Sequence, residues 1–126
     1  MEVPGDRHYT DEHEWVLVES DGTVRVGITD YAQDALGDVV FVELPESGKE
    51  AAKGTTLAEV ESTKSVGEVY SPVAGTVAES NQKLIDQPDL INSDPYGEGW
   101  IMLISVEEEF DASGFLDADG YRALTE

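Results

Sequence analysis

The sequence predicts a mainly β protein, a small β-sandwich or flattened barrel with short edge helices and a C-terminal helix. Short runs rich in valine, isoleucine and threonine recur at close spacing. Turn residues, chiefly glycine, proline and aspartate, separate these runs. The chain has 126 residues, of which 40% are hydrophobic, enough for one core but not for two. We therefore expect a single domain over residues 1–126, with a C-terminal helical segment at about 107–126.

The first half of the chain contains three predicted strands and one helix. Asp21-Gly22 lies between two β-rich runs and favours a hairpin, because glycine adopts the positive φ of the turn. Thr29 is a suitable helix N-cap, and Gly37 is a suitable stop. The predicted elements are strands at residues 14–19, 23–28 and 38–44 and a helix at 29–36.

The second half contains four predicted strands and a helical tail. The strands are predicted at residues 55–61, 66–71, 76–79 and 100–106. Pro88 and Pro95 disfavour regular structure, so residues 81–99 are predicted to be mostly loop with one turn of helix. Gly114 and Gly120 are expected to divide the helical tail. A polar loop is expected at residues 46–54.

Charge and composition exclude several classes of function. The formal net charge is −21, from 28 acidic and seven basic residues, which disfavours nucleic acid and anionic membranes as partners. No apolar run approaches the roughly 18 residues of a membrane-spanning helix. The chain has no cysteine, which excludes disulfides, thiolate catalysis and cysteine-ligated metals.

The charge and the N-terminal sequence also predict the salt environment and the cellular location of the protein. Carboxylates in place of lysines are typical of proteins adapted to high salt, where concentrated ions screen their repulsion. We therefore expect a salt-adapted (halophilic) protein. The sequence MEVPGDRHYTDEHEW has neither a basic nor an apolar signal region, so we expect a cytoplasmic location.

Lys64 is the candidate functional residue, because it is one of only four lysines and lies between two predicted strands. Most lysines are solvated surface residues, and a lone lysine in a turn would ordinarily be one of them. Here the small neighbouring residues Thr63 and Ser65 leave the aliphatic part of the Lys64 side chain unobstructed. The tip of a hairpin would display such a lysine to another protein.

Five sequence blocks, in order, resemble the H protein family of the glycine cleavage system, a family of lipoyl carriers. The resemblance runs over nearly the whole chain. The blocks are His13-Glu-Trp15; Gly27-Ile-Thr-Asp-Tyr-Ala-Gln33; Leu36-Gly-Asp-Val-Val-Phe-Val-Glu-Leu-Pro45; Glu61-Ser-Thr-Lys64 with Tyr70-Ser-Pro-Val-Ala-Gly75; and Leu90-Ile-Asn92 with Asp94-Pro-Tyr-Gly-Glu-Gly-Trp100.

This resemblance implies a lipoyl-biotinyl carrier fold of the barrel-sandwich hybrid type, with lipoate attached covalently to the ε-nitrogen of Lys64. Biotin carriers usually place their lysine between two methionines, whereas Thr63 and Ser65 flank it here. Lipoyl domains of 2-oxoacid dehydrogenases typically have Asp-Lys-Ala and lack the His-Glu-Trp block. Both of these carrier types therefore fit the sequence less well.

The resemblance also implies the partners and the role. A pyridoxal-phosphate glycine decarboxylase (the P protein) would load the aminomethyl group of glycine, and a tetrahydrofolate-dependent aminomethyltransferase (the T protein) would remove it. Dihydrolipoamide dehydrogenase (the L protein) would reoxidise the arm, and a lipoate-attaching enzyme would install it. The chain itself would be a carrier rather than an enzyme, with no catalytic residue. An H-like protein that relays lipoyl groups to 2-oxoacid dehydrogenases is the alternative.

The resemblance also implies that the loaded arm is sheltered in an acidic cleft. Glu14 and Glu68 match the acidic cleft positions of the family, and Glu12 stands where some members carry serine. A cationic aminomethyl group would be held there by charge-assisted hydrogen bonds. The alternative is that these are solvent-facing acids, as most of the 28 acids must be.

Other candidate sites are weaker. His8 and His13 are too few and too poorly spaced for catalytic zinc. Residues 117–120, Asp-Ala-Asp-Gly, lack the later ligands of a calcium loop, so we expect no metal site.

Overall fold

Two antiparallel sheets form the body of the protein. The computed structural model describes residues 1–125. The strands are β1 (His8–Tyr9), β2 (Glu14–Val18), β3 (Val24–Ile28), β4 (Val39–Glu43), β5 (Glu50–Ala51), β6 (Thr56–Ser62), β7 (Val66–Tyr70), β8 (Gly75–Ser80) and β9 (Met102–Val106). The helices are α1 (Asp30–Leu36), α2 (Lys83–Asp86), α3 (Leu90–Ser93) and α4 (Ala118–Thr125), with a 3-10 turn at Ala112–Gly114.

The larger sheet has six strands in the order β1-β2-β3-β9-β8-β5, and the smaller has three in the order β4-β6-β7. Every pair of neighbouring strands is antiparallel. The β2–β3 hairpin turns at Gly22, whose φ of +89° explains the requirement for glycine. The mainly β sandwich predicted from the sequence is confirmed, with its short helices and its C-terminal helix.

The main core lies between the two sheets. Valine and isoleucine side chains that alternate along the strands enter it, each contributing about 1.5–3 kcal/mol when fully buried. Leu84 of α2 and Ile91 of α3 belong to the same cluster, so the two short helices cover it at one side. The buried strand residues in the cluster are Val16, Val24, Val26, Ile28, Val39, Val42, Ala51, Leu57, Ala58, Val60, Val69, Val77, Met102 and Ile104.

A second, aromatic cluster attaches the C-terminal helix to the larger sheet. Tyr121 of α4 stacks on Tyr9 of β1 with 4.9 Å between ring centroids. Trp15 of β2 is fully buried and donates its indole N–H to the carbonyl of Pro95 at 2.9 Å. Gly27 faces this indole, and a Cβ there would lie 2.5 Å from the ring, so only glycine fits. The cluster thus fixes α4 beside the start of β2.

The structure differs from the prediction mainly at short elements. The two-residue strands β1 and β5 were not predicted, because two residues carry no detectable periodicity. The last strand begins at Met102, two residues later than predicted. The segment predicted as loop with one helical turn contains two short helices, α2 and α3.

The helical tail is also shorter than predicted. Only α4 and the 3-10 turn are helical in the described part of the tail. Phe110 packs edge-on against Phe115 at 5.0 Å, so these rings form a compact loop rather than one face of a helix. Gly120 lies inside α4 and does not divide the tail, whereas Gly114 ends the 3-10 turn.

Asn92 of α3 joins α1 to β4. Its amide oxygen accepts the N–H of Val39 at 2.8 Å. Its amide nitrogen donates to Gln33 Oε1 at 2.9 Å and to the carbonyl of Gly37 at 3.0 Å. One side chain therefore satisfies backbone groups on both sides of the α1–β4 junction and fixes the end of α1.

We predict that Asn92→Ala lowers the free energy of unfolding by about 1–3 kcal/mol, because it leaves partly buried backbone groups without partners. Urea denaturation measures this change. Ser93→Ala, at an exposed neighbour on the same helix, is the control and should change stability by less than about 0.5 kcal/mol. Equal effects of the two substitutions would contradict the role of Asn92.

Candidate functional site

Lys64 lies at the exposed tip of the hairpin between β6 and β7. The turn is closed by Ser62, whose N–H donates to the carbonyl of Ser65 at 2.8 Å. The Ser62 hydroxyl oxygen accepts the N–H groups of Lys64 at 3.3 Å and of Ser65 at 3.0 Å. The small hydroxyl residues thus fix the backbone of the turn and leave the lysine side chain exposed.

The end of α1 supports the base of this hairpin. The stem of Lys64 passes over Gly37, where a Cβ would lie 3.3 Å from Lys64 Cε. Leu36 packs against Gly67 of β7, where a Cβ would lie 3.2 Å from the leucine side chain. Thr63 donates its N–H to the carbonyl of Asp38 at 3.1 Å. The hairpin is therefore supported at its base, and the lysine head is displayed.

Glu14 is buried at the start of β2, with only 2% of its surface exposed. Its Oε2 accepts the backbone N–H of Tyr70 at 2.7 Å, and its Oε1 accepts the Thr10 hydroxyl at 3.2 Å. Burial raises the pKa of Glu14 to about 7, and the two hydrogen bonds only partly oppose this shift. This acid is thus not one of the solvent-facing majority.

The loop before β2 turns Glu14 inward. His13 has a left-handed backbone conformation with φ of +68°, the sole non-glycine residue with positive φ in the described part of the chain. Its Nδ1 lies 2.7 Å from the hydroxyl of Tyr121 on α4, and that hydroxyl lies 2.7 Å from Thr29 Oγ1. Helix α4 therefore holds the loop in the conformation that buries the carboxyl group.

A cavity of about 750 Å³ lies between this loop, the end of β7 and α4. Glu12 and Glu14 line it together with Tyr70. Its apolar walls come from Phe115, Leu116 and Leu124, and Lys53 also lines it. A cavity of this volume suits a small ligand, and this one combines an apolar wall with carboxylates.

Glu68 is exposed on β7 and does not line the cavity. It is connected to the cavity by the hydroxyl of Tyr70, which donates to Glu68 Oε2 at 3.1 Å. The structure therefore brings Glu12 and Glu14 together in one cavity and leaves Glu68 outside, one side chain away.

Sequence reasoning did not find the residues that hold these acids. Thr10 accepts the N–H groups of Glu12 and Glu14 at 3.2 Å each, and so shapes the loop that carries both acids. Nothing in the sequence marks Thr10 for this role. Tyr70 could have been found, because it lies two residues after Glu68 and so on the same face of a strand.

Among residues 1–125, no helix has the length and apolar character needed to cross a bilayer. Nor do three His, Asp or Glu side chains come together as a metal site in the described part of the chain.

The raised pKa of Glu14 predicts a specific pH dependence of stability. The folded protein keeps this proton to about pH 7, whereas the unfolded chain loses it near pH 4.5. The proton on Glu14 thus stabilises the folded protein at low pH. This contribution to the free energy of unfolding is lost as the pH rises through that window, by about 2 kcal/mol between pH 5 and pH 8.

Urea denaturation of wild type and of Glu14→Gln at pH 5 and pH 8 measures this contribution. The amide does not titrate, so we expect the wild type to lose about 2 kcal/mol more than the variant over this range. Taking the difference cancels the contributions of the other carboxylates. Parallel pH profiles would show that Glu14 titrates normally.

Comparison with known proteins identifies the family. A family model described as Glycine cleavage H-protein matches residues 7–126. The glycine cleavage system H protein of Mycolicibacterium smegmatis is 56% identical over 126 residues, covering 98% of this chain and 96% of that protein. That of Thermus thermophilus is 54% identical over 126 residues, covering 100% of this chain and 98% of that protein.

A solved structure agrees with these relatives. The crystal structure of a glycine cleavage system H protein from Mycobacterium marinum has a TM-score of 0.89 with this protein and 41% sequence identity. The match covers 98% of each chain. Family, sequence and structure are thus alike over nearly the full length, and the chain belongs to the glycine cleavage H-protein family.

Proposed function

We infer that the protein is the lipoyl-bearing carrier of the glycine cleavage system, with Lys64 as its attachment point. It takes the aminomethyl group of glycine from the decarboxylase and delivers it to the tetrahydrofolate-dependent aminomethyltransferase. The observation that carries this inference is the juxtaposition of an exposed lysine on a supported hairpin with an acid-lined cavity at the far end of the same strand, β7. It is a carrier subunit, not an enzyme.

The residues around the cavity fit the group that the family carries. Phe115, Leu116 and Leu124 provide apolar contacts for a hydrocarbon arm, and Glu12 and Glu14 suit a cationic cargo. When attached to Lys64, the lipoyl group supplies a disulfide that accepts the aminomethyl group together with electrons. Attachment turns the lysine ammonium into a neutral amide, which removes one of the seven basic charges of the chain.

Glu14 has the chemistry to hold a cationic cargo. Burial raises its pKa to about 7, so near neutral pH the carboxyl group is close to its midpoint. A cation entering the cavity lowers that pKa, so Glu14 releases its proton and becomes the charged partner. Contacts with the loop and α4 would also replace part of the water around the cargo, which would otherwise hydrolyse.

The partners follow from the family. They are the decarboxylase (P protein), the aminomethyltransferase (T protein), dihydrolipoamide dehydrogenase (L protein) and the lipoate-attaching enzyme. A relay of lipoyl groups to 2-oxoacid dehydrogenases is not favoured, because relatives that are 54–56% identical carry the name glycine cleavage system H protein.

Residues 1–126 form one lipoyl-carrier domain, a view supported by the family match over residues 7–126 and by the contact of Arg122 with the carbonyl of Val3 at 3.0 Å. The proposed location is the cytoplasm, where thiols remain reduced and reoxidation of the arm is left to dihydrolipoamide dehydrogenase.

Intact-mass analysis of natively produced protein tests the attachment point. We expect a lipoyl-sized adduct that peptide mapping localises to Lys64 and that is absent in Lys64→Arg, because arginine offers no amine for amide formation. Lys64→Arg should also abolish glycine decarboxylation in a mixture reconstituted with the P, T and L proteins.

Lys83→Arg is the matched control and should keep both the adduct and full activity. Lys83 is exposed and forms an ion pair with Glu98 away from the cavity. An adduct on Lys49, Lys53 or Lys83 in place of Lys64 would overturn the assignment.

A further inference from the structure

Tyr70 contacts both of the acids that flank the proposed path of the arm. It is the last residue of β7, is partly buried, and lines the cavity. Its backbone N–H donates to buried Glu14 at 2.7 Å. Its hydroxyl donates to exposed Glu68 at 3.1 Å. One residue therefore links the floor of the cavity to a carboxylate outside it.

Strand β7 leads from the Lys64 turn to this point. It begins two residues after Lys64 and extends about 13 Å from Val66 to Tyr70 at the usual rise per residue. Side chains two residues apart point to the same face, so Glu68 and Tyr70 lie in succession along one side of the strand. An arm folded back along β7 passes Glu68 before it reaches the cavity.

The Glu68 carboxylate must be held by another group if it is to stay beside the path from Lys64 to the cavity. Its partner across the β6–β7 pair is Glu59, and like charges directly opposite each other repel. No cation forms an ion pair with Glu68 among residues 1–125. The Tyr70 hydroxyl is its side-chain hydrogen-bond donor, and this bond raises the pKa of Tyr70. The bond to Tyr70, a residue that lines the cavity, therefore holds the Glu68 carboxylate next to it.

We propose that Tyr70 is a positioning residue for cargo retention, whose hydroxyl holds the Glu68 carboxylate at the cavity entrance, where that carboxylate binds the cationic aminomethyl cargo. The inference rests on the proposed carrier function. Glu14 and Glu68 then act at two depths, one inside the cavity and one at its entrance.

The lifetime of the cargo on the carrier tests this proposal without any partner enzyme. Reduced, lipoylated carrier is incubated with formaldehyde and ammonium. One arm thiol, one formaldehyde and one ammonium ion combine with loss of one water; a carbon–sulfur and a carbon–nitrogen bond form, and nothing is oxidised or reduced. Excess reagent is removed, and the reverse reaction is timed by trapping the formaldehyde released. Free dihydrolipoamide loaded in the same way gives the unprotected rate.

A double-mutant cycle separates positioning from a general structural effect. Tyr70→Phe keeps the ring and the backbone N–H to Glu14 and removes only the hydroxyl. We expect Tyr70→Phe and Glu68→Gln each to shorten the lifetime about threefold, and the double variant also about threefold, because both remove the same interaction. Independent effects would multiply to about ninefold.

Two further variants serve as controls. Tyr31→Phe and Glu79→Gln change a tyrosine and a glutamate outside the cavity lining, and neither should alter the lifetime. Urea denaturation should give equal stability for Tyr70→Phe and wild type within about 0.5 kcal/mol.

Three results would overturn the proposal in distinguishable ways. A protected wild type with an unchanged Tyr70→Phe lifetime refutes the role of Tyr70 alone. A ninefold effect in the double variant shows that Tyr70 does not act through Glu68. A wild type that decays as fast as free dihydrolipoamide refutes the sheltering function itself, and the Tyr70 proposal with it.

Discussion

The hydrogen bond from the Tyr70 N–H to the Glu14 carboxyl group joins the two sheets at the functional site. Glu14 begins β2 of the larger sheet, whereas Tyr70 ends β7, the edge strand of the smaller one. An edge strand exposes backbone donors that need partners, and a buried carboxyl group needs donors. Each group satisfies the other. The same bond holds the carboxyl group at the cavity, so one contact both closes the structure and forms the site.

The carrier combines a fixed hairpin base with an exposed lysine side chain. Asn92 fixes the end of α1, and Leu36 and Gly37 of that segment support the hairpin from beneath. The Lys64 side chain is exposed. An attached arm would therefore move from a fixed base, which limits the conformational entropy lost when it returns to the cavity. Of the acids at this site, Glu14 alone is buried, and burial gives it a raised pKa, whereas Glu12 and Glu68 are exposed.

The fold and the displayed lysine could be predicted from the sequence, because both depend on local patterns. Alternating apolar residues and turn residues identify strands, and the hairpin around Lys64 follows from them. The burial of Glu14 could not be predicted in this way. It depends on the left-handed conformation of His13 and on contacts with Tyr70 and Tyr121, residues distant in sequence. Family resemblance named the acids, but only the tertiary structure separates the buried acid from the exposed one.

The most direct test of a returning arm is nuclear magnetic resonance of the ¹⁵N-labelled, lipoylated carrier with and without its cargo. Loading should shift the amide signal of Tyr70, whose N–H is bonded to Glu14, and the amide signals of Thr10 and Glu14 at the cavity. Changes confined to the turn residues Thr63 and Ser65 would mean that the loaded arm stays in solvent. That result would contradict the account of this protein as a carrier that shelters its own cargo.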